Sequence, residues 1–396
     1  MIDIIKKLAS EHLAAAISNR RYLHANPELS FQEYNTSAFI KRQLEQSGIP
    51  YVGLAETGVV AMIKGDQTSD KVIALRADMD ALPIHELNDT EYKSLTEGVM
   101  HACGHDVHTA SLLATASILM SLKSSFGGTI KLIFQPAEEK LPGGASLMIK
   151  AGVLEEPSPL VVIGQHVLPG LPCGKVAIRK GRAMASMDEL NITVHGRGGH
   201  GAMPHLNIDP VLIACHIVLA LQQIVSRNSN PVVPGVLTIG RFIGDGAINV
   251  TPDKVTLQGT FRTVDENWRA EAHDRMKKMA ISIAEGMGAT CDFHVERGYP
   301  SLYNAEWLTE QVINDAAAYL GNEQVVEGEL LMAAEDFAYY GQHRDACFYF
   351  LGVGNDEKGI SSALHTPNFD IDESALEIGS GLMAYIALKR LADGIK

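Results

Sequence analysis

At 396 residues the chain is longer than one hydrophobic core usually sustains, which predicts two domains. Its hydrophobic share of 46% and charged share of 20% match a soluble globular protein, and no long charge-free apolar run is read in it, which excludes a membrane-spanning chain. A net charge of -14 argues against nucleic acid and anionic lipid as partners.

The N-terminal stretch Met1 to Arg21 mixes Lys6, Lys7, Glu11 and Arg20 with apolar residues at helical spacing, unlike the charged-then-apolar layout of a secretory signal. Five cysteines, Cys103, Cys173, Cys215, Cys291 and Cys347, stand singly with no CxxC pair, which suits a reducing compartment; these features place the chain in the cytoplasm. Apolar, β-branched runs at Val72 to Arg76, Thr129 to Phe134 and Leu160 to Ile163 alternate with helical segments, the pattern of an α/β protein with a mostly parallel sheet. Asp78 and Asp80 follow the first run, Glu138 and Glu139 the second, and His166 the third. Ligands of open α/β sheets bind at the C-terminal strand edge, so these side chains are expected to share one cleft.

From about Met184 to Pro300 the order becomes strand (Glu189 to His195), helix (Pro210 to Val225), two strands (Val236 to Phe242, Lys254 to Arg262), helix (Asn267 to Gly286) and strand (Cys291 to Arg297). That order predicts a ferredoxin-like α+β unit. A strand at Cys347 to Leu351 and a helix at Ser374 to Leu391 then resume the α/β character. The expected organisation is a catalytic domain of residues 1–183 and 301–396 with an inserted domain of residues 184–300, and an active site between them.

Met100-His101-Ala102-Cys103-Gly104-His105-Asp106-Val107-His108 packs a thiol, three imidazoles and a carboxylate just before an apolar helix read from Thr109 to Leu122. Thiolate and imidazole are good ligands for zinc and its neighbours, and a metal site accounts for this density better than a polar helix cap with ordinary hydrogen bonds. In Gln135-Pro136-Ala137-Glu138-Glu139 two adjacent carboxylates repel each other unless cations or protons hold them; one is suited to bind metal while the other works as a base. A solvated turn is the plainer alternative. His166 and His365 are single histidines, which are more often structural than ligating, and their places near strand ends raise both above that expectation.

Gly196-Arg197-Gly198-Gly199-His200-Gly201 matches the GxGxxG dinucleotide pattern, but no helix opens on its last glycine and no acidic residue ends a second strand roughly 20 residues on, so that reading is rejected. A flexible loop presenting His200 to an oxyanion, or a simple tight turn, remains. Asn249 lies in Ala247-Ile248-Asn249-Val250-Thr251-Pro252-Asp253, and Arg262 ends a strand. An arginine fork suits a substrate carboxylate, although a surface salt bridge is the commoner fate of one arginine.

The motifs from His101 to His108, Gln135 to Glu139, Gly199 to His205 and His365-Thr366-Pro367 occur in that order, with Arg21 to Ser30 and Ala77 to Pro83 ahead of them. Together they span almost the whole chain, which resembles the amidohydrolase branch of the aminoacylase and carboxypeptidase metallopeptidase family. Hippurate hydrolases, indole-acetyl-amino-acid hydrolases and acetyl-diaminopimelate deacetylases belong to that branch. The resemblance implies a dinuclear catalytic domain with an inserted lid or dimerisation domain. It implies that Cys103, His105, Glu139, His166 and His365 hold two divalent metals (zinc, manganese, cobalt or nickel), that Glu138 is the general acid and base, and that Asp80 orients a ligand. His200, Asn249 and Arg262 match lid positions that touch substrate, His200 typically in the partner subunit's site of a homodimer or higher homo-oligomer. Met332-Ala333-Ala334-Glu335-Asp336-Phe337 departs from the family, which usually has Gly or Ser before Glu-Asp, and this puts the pocket wall in question.

The expected activity is hydrolysis of N-acyl amino acids, with a water bridging the metals as nucleophile and Glu138 as its base. A metallo-exopeptidase acting on dipeptides shares the metals but needs a site for a free α-amino group. A noncatalytic metal-binding protein is the third reading, and the spare carboxylate beside Glu139 argues against it.

Overall fold

Runs of Val, Ile and Leu favour strands buried on both faces, and each run read above, Leu160 apart, lies within a longer strand of the structure, a computed structural model that describes residues 1–393. Gln67–Asp78 pairs in parallel with Gly127–Gln135 and with Val161–Pro172, setting Asp78 opposite Gln135 and Ile73 opposite Val161. Asp345–Gly354 runs parallel to Val161–Pro172, with Phe350 opposite His166. These strands form the middle of an eight-stranded sheet. Its flanks are mixed: Gly58–Lys64, Tyr51–Leu54 and Val176–Ile178 pair antiparallel with their inner neighbours, and Val325–Glu327 pairs parallel with Val176–Ile178.

Two boundaries differ from the sequence reading, and both matter for the site. The third run does not stop before His166: the strand continues to Pro172, so His166 lies inside the ladder with its backbone fixed. The metal-motif helix begins at His105, four residues earlier than read, because Gly104 takes the left-handed conformation (φ 83°) that turns the chain into it. A Cβ on Gly104 would lie 2.4 Å from Val167 Cγ2, so no other residue fits without a shift. The helix His105–Ser121 packs against Ile2–Ala25, Ala375–Asp393 and the strand Gln67–Asp78. Fourteen of its 17 residues are buried, which explains why its sequence shows no polar face.

The described chain divides into two units: Met1–Gly181, Tyr303–Leu330 and Asp336 onward form the larger, Arg182–Leu302 with Leu331–Glu335 the smaller. The smaller unit carries an antiparallel sheet ordered Gly235–Ile243, Lys254–Thr263, Asp188–His195, Thr290–Arg297. Helices Pro210–Leu221 and Glu266–Gly286 pack on one face over Leu190, Ile192 and Val194, the alternate residues that a strand turns to one side. Asp209 caps the first helix, its carboxylate accepting from Val211 and Leu212 N–H, with Pro210 opening the helix.

One helix meets the length and composition of a membrane span, a test that the core helix of a globular protein also passes. Pro210–Asn228 has a mean hydropathy of 1.5 and is long and apolar enough to cross a membrane by length and composition. It is apolar on two faces: Ile213, Ala214, Ile217 and Leu221 fill the core of the small unit, while Leu212 and Leu219 are 53% and 73% exposed.

Candidate metal centre

Asp78 ends its strand and Asp80 follows it, which carries both carboxylates to the C-terminal edge of the sheet. Asp80 is buried and fully engaged: it accepts from Glu138 N–H and Glu139 N–H, both at 3.0 Å, and from Ser30 Oγ at 2.6 Å. His105 Nδ1 lies 2.9 Å from its carbonyl and 3.2 Å from its carboxylate. Asp80 therefore fixes the backbone of the two glutamates and the ring of His105 at once. Burial disfavours its charge, but the hydrogen bonds from His105 and Ser30 outweigh burial and hold its carboxyl below the usual range.

Around this carboxylate the chain gathers its soft donors. Cys103 Sγ lies 3.4 Å from His166 Nε2 and 3.3 Å from His365 Nε2, and His365 Nε2 lies 3.2 Å from Glu139 Oε1. Single ligand atoms of Cys103, His105 and His166 fall within 4.8 Å of one another, as do those of Cys103, Glu139 and His365, and those of His105, Glu138 and Glu139. The five expected ligands and Glu138 are thus brought together in the larger unit.

The rings are oriented for coordination. His166 Nδ1 donates to the Val167 carbonyl at 2.7 Å, which leaves the Nε2 lone pair toward Cys103. Burial, reinforced by His108, holds His166 well below the ordinary histidine range, so it is a neutral ligand. His105 is engaged at Nδ1, and its buried Nε2 has no hydrogen-bond partner among the described residues. Burial opposes charge on His105, yet Asp78 and Cys103 prevail and raise it well above the ordinary value. Burial and Glu139 push the Cys103 thiol up, while hydrogen bonds with Cys103 and Glu139 raise His365 to about 10. An orphaned imidazole nitrogen, a raised thiol and a histidine between thiol and carboxylate form a donor set that a divalent cation satisfies.

The three imidazoles of the motif have separate fates. His108 Nε2 accepts from Val167 N–H at 2.9 Å, so its Nδ1 donates to Asp78 at 2.5 Å; this dyad braces the strand beside His166. His101 is buried on the side of His24, its ring centre 6.4 Å away, and burial lowers it to about 4. Only His105 joins the donor clusters with Cys103.

Glu138 is buried and receives the Asp336 N–H at Oε1, 3.3 Å. Sequence reasoning missed the residues behind this contact. The Asp336 carboxylate accepts from Arg76 at 2.8 Å, from Gln135 at 2.8 and 2.9 Å, and from Ala145 N–H at 2.9 Å. The available signal was Arg76-x-Asp78 at the end of the apolar run that starts at Val72, charges two apart and so on one face. Ala137 (φ 50°) and His365 (φ 59°) both take the left-handed conformation that residues with a Cβ avoid, local strain beside Glu138 and at a ligand.

The other three expected site residues belong to the smaller unit. His200 and Asn249 are exposed; His200 pairs with Val250 in a short antiparallel bridge, and Gly201 N–H donates to the Asn249 carbonyl at 2.8 Å. The glycine loop is not a loose one: a Cβ on Gly196 would lie 2.2 Å from the Ile208 carbonyl oxygen, and one on Gly198 2.4 Å from that of Thr251. Close packing against backbone, not phosphate binding, accounts for these glycines. Arg262 did not become a surface salt bridge. It is half-buried, and its Nη1 donates to the Met332 carbonyl at 3.0 Å.

Comparison with known proteins decides the family. Residues 74–389 match the model described as Peptidase family M20/M25/M40. The chain belongs to this family. It is 41% identical over 396 residues to a thermostable carboxypeptidase 2 of Saccharolobus solfataricus, covering 98% of this chain and 99% of the relative. It is 40% identical over 378 residues to an N-acetyl-L-cysteine deacetylase of Bacillus subtilis, covering 95% and 88%. A solved Bacillus subtilis structure described as a dinuclear metal binding peptidase from the M20 family superposes with a TM-score of 0.84 at 36% identity, covering 96% and 99%. The α/β fold with its mixed, mostly parallel sheet is the fold of that family, and this member is a metal-dependent amide hydrolase.

Proposed function

We propose that the protein hydrolyses the amide bond between an acyl group and an amino acid that keeps its α-carboxylate. The observation that carries this reading is the convergence of Cys103, His105, Glu139, His166 and His365 beside a further buried carboxylate, Glu138. The five donors would hold two divalent cations; zinc, manganese, cobalt and nickel all suit mixed thiolate, imidazole and carboxylate ligation. Bound there, the cations supply Lewis acidity toward the amide carbonyl and lower the pKa of water.

Glu138 takes the proton of the attacking water and returns it to the departing amine. Its carboxylate is kept in place by the Asp336 N–H, and its backbone by Asp80. Asp80 also keeps His105 in the tautomer that leaves Nε2 free. In the smaller unit, which we read as the lid and dimerisation unit, His200 stabilises the oxyanion, and Asn249 and Arg262 bind the substrate. Arg262 is suited to a carboxylate because, among the described residues, it has no acidic partner within ion-pair distance, and burial lowers its pKa.

The deacetylase and carboxypeptidase names of its relatives describe one bond type, an amide whose nitrogen belongs to an amino acid. The carboxypeptidase relative makes removal of a C-terminal residue the second reading. Exposed Leu212, Leu219, Phe242 and Ile243 in the small unit favour a homodimer. Five free cysteines fit a reducing cytoplasm.

The test is hydrolysis of N-acetyl, N-benzoyl and indole-acetyl amino acids, alongside unblocked dipeptides, by chelator-stripped protein before and after addition of manganese or zinc. Metal-restored release of free amine from acyl substrates is expected. Cleavage of dipeptides with silence on every acyl amino acid would transfer the assignment to an exopeptidase.

A further inference from the structure

The reaction makes no use of the N-terminal motif, yet the helix Ile2–Ala25 drives two charged side chains, Arg20 and His24, into the core of the larger unit. Arg20 is 0% exposed. Its Nε donates to Asp106 Oδ2 at 2.8 Å and its Nη2 to Asp370 Oδ1 at 2.9 Å. Tyr92 closes the arrangement: Arg20 Cζ lies 4.8 Å from its ring centre, and its hydroxyl donates to the other Asp370 oxygen at 2.8 Å. His24 Nδ1 lies 2.8 Å from the same Asp106 oxygen, with Nε2 3.2 Å from Glu86.

A buried ion pair is weak evidence for stability, since apolar residues of similar volume often fold as well. What Arg20 joins is more telling. Asp106 directly follows His105, and Asp370 lies five residues after His365, so one guanidinium spans both segments that carry proposed ligands. The segments also meet directly, with His365 N–H donating to the Ala102 carbonyl at 2.8 Å. His365 sits at φ 59°, a conformation that persists only where the surroundings enforce it. The guanidinium fork has donors in one rigid plane, and it fixes distance and angle between two carboxylates as a flexible ammonium does not.

We propose that Arg20 is a positioning residue for the metal centre, setting the separation of the Cys103–His105 and His365 segments through Asp106 and Asp370. The proposal rests on the ligand set given above. An internal control exists in the same unit: Arg390 and Asp315 form a buried ion pair at 2.7 Å between two helices, Glu306–Leu320 and Ala375–Asp393, that carry no proposed ligand.

Cobalt(II) is titrated into chelator-stripped wild-type protein and the variants Arg20→Lys, Asp370→Asn and Asp315→Asn. Calorimetry gives the affinity of each equivalent, the thiolate-to-cobalt charge-transfer band reports Cys103, and thermal unfolding of the stripped proteins measures stability. Asp370→Asn is expected to bind at least one equivalent about tenfold or more weakly, and Arg20→Lys to do the same. Asp315→Asn is expected to lose stability while keeping wild-type cobalt affinity. Unchanged affinity in either folded variant, or an equal loss in Asp315→Asn, overturns the proposal; if Arg20→Lys does not fold, Asp370→Asn decides alone. A wild-type protein that binds cobalt without the thiolate band refutes the ligand set, and the positioning proposal with it.

Discussion

The proposed functional residues of the larger unit and those of the smaller unit live in different physical environments. Cys103, His105, His166 and Glu138 are buried, and Asp80, Asp336, Val167 and neighbouring groups anchor them. His200 and Asn249 are exposed, and Arg262 is half-buried, its Nη1 on the Met332 backbone carbonyl. The difference separates two tasks. Groups that handle cations and protons need fixed geometry and a low dielectric, whereas groups that recognise a substrate keep unspent hydrogen-bonding capacity.

The largest effect should come from the buried side. Glu138→Gln removes the proton carrier while leaving the donor clusters, so turnover should fall by about 10²-fold or more with metal content unchanged; elemental analysis beside steady-state kinetics checks both. Near-normal turnover would sink the assignment of Glu138. Asp80→Ala probes the anchoring itself: metal affinity or activity should drop roughly 10- to 100-fold although the residue is not a proposed ligand. Competition with a metal-sensitive dye measures that loss, and an intact affinity would show that the buried site does not depend on its anchors.

On the smaller unit the expectation changes in kind. Arg262→Gln should raise KM for an N-acyl amino acid about tenfold or more, with a smaller change in kcat, the size of one charge-assisted hydrogen bond to a carboxylate. A substrate with an amidated carboxyl should be indifferent to the change, and equal losses on both substrates would refute carboxylate recognition.

Protonation offers a further contrast. His105 and His365 are held above the ordinary histidine range and the Cys103 thiol above its own, so at neutral pH the stripped centre binds protons that a cation must displace. Metal affinity should therefore rise with pH through neutrality and go on rising to about pH 10, where His365 is half deprotonated; affinity independent of pH between 6 and 9, measured calorimetrically in buffers of differing ionisation heat, would count against these residues as ligands. The smallest effect on chemistry should come from Leu219→Glu, which places a charge on the exposed apolar face of the small unit; sedimentation should show a shift toward monomer.

Much of the proposed metal centre was legible because its donors are local in sequence. Cys103 and His105 lie in one dense motif and Glu138 and Glu139 are adjacent just after a strand, so spacing and sheet topology marked both motifs, and the family resemblance implied which of their side chains bind metal. Arg76 and Asp336 are 260 positions apart, and Arg20 and Asp106 are 86 apart. No periodicity connects such pairs, and an arginine in a strand or helix reads as a solvated side chain until the fold buries it. The apolar outer face of Pro210–Asn228 was missed for the opposite reason: its residues look like core, and only their exposure in the fold separates them from it.

The sequence by itself determined the soft donors, the adjacent carboxylates and the alternation that makes a mostly parallel sheet, because covalent order and side-chain chemistry need no partner. Tertiary structure alone decided which of three neighbouring imidazoles faces the thiol. His101 turns toward His24, His108 is committed to Asp78 and the Val167 N–H, and His105 keeps one ring nitrogen free. That choice depends on backbone groups brought in from strands far along the chain, and no local pattern encodes them.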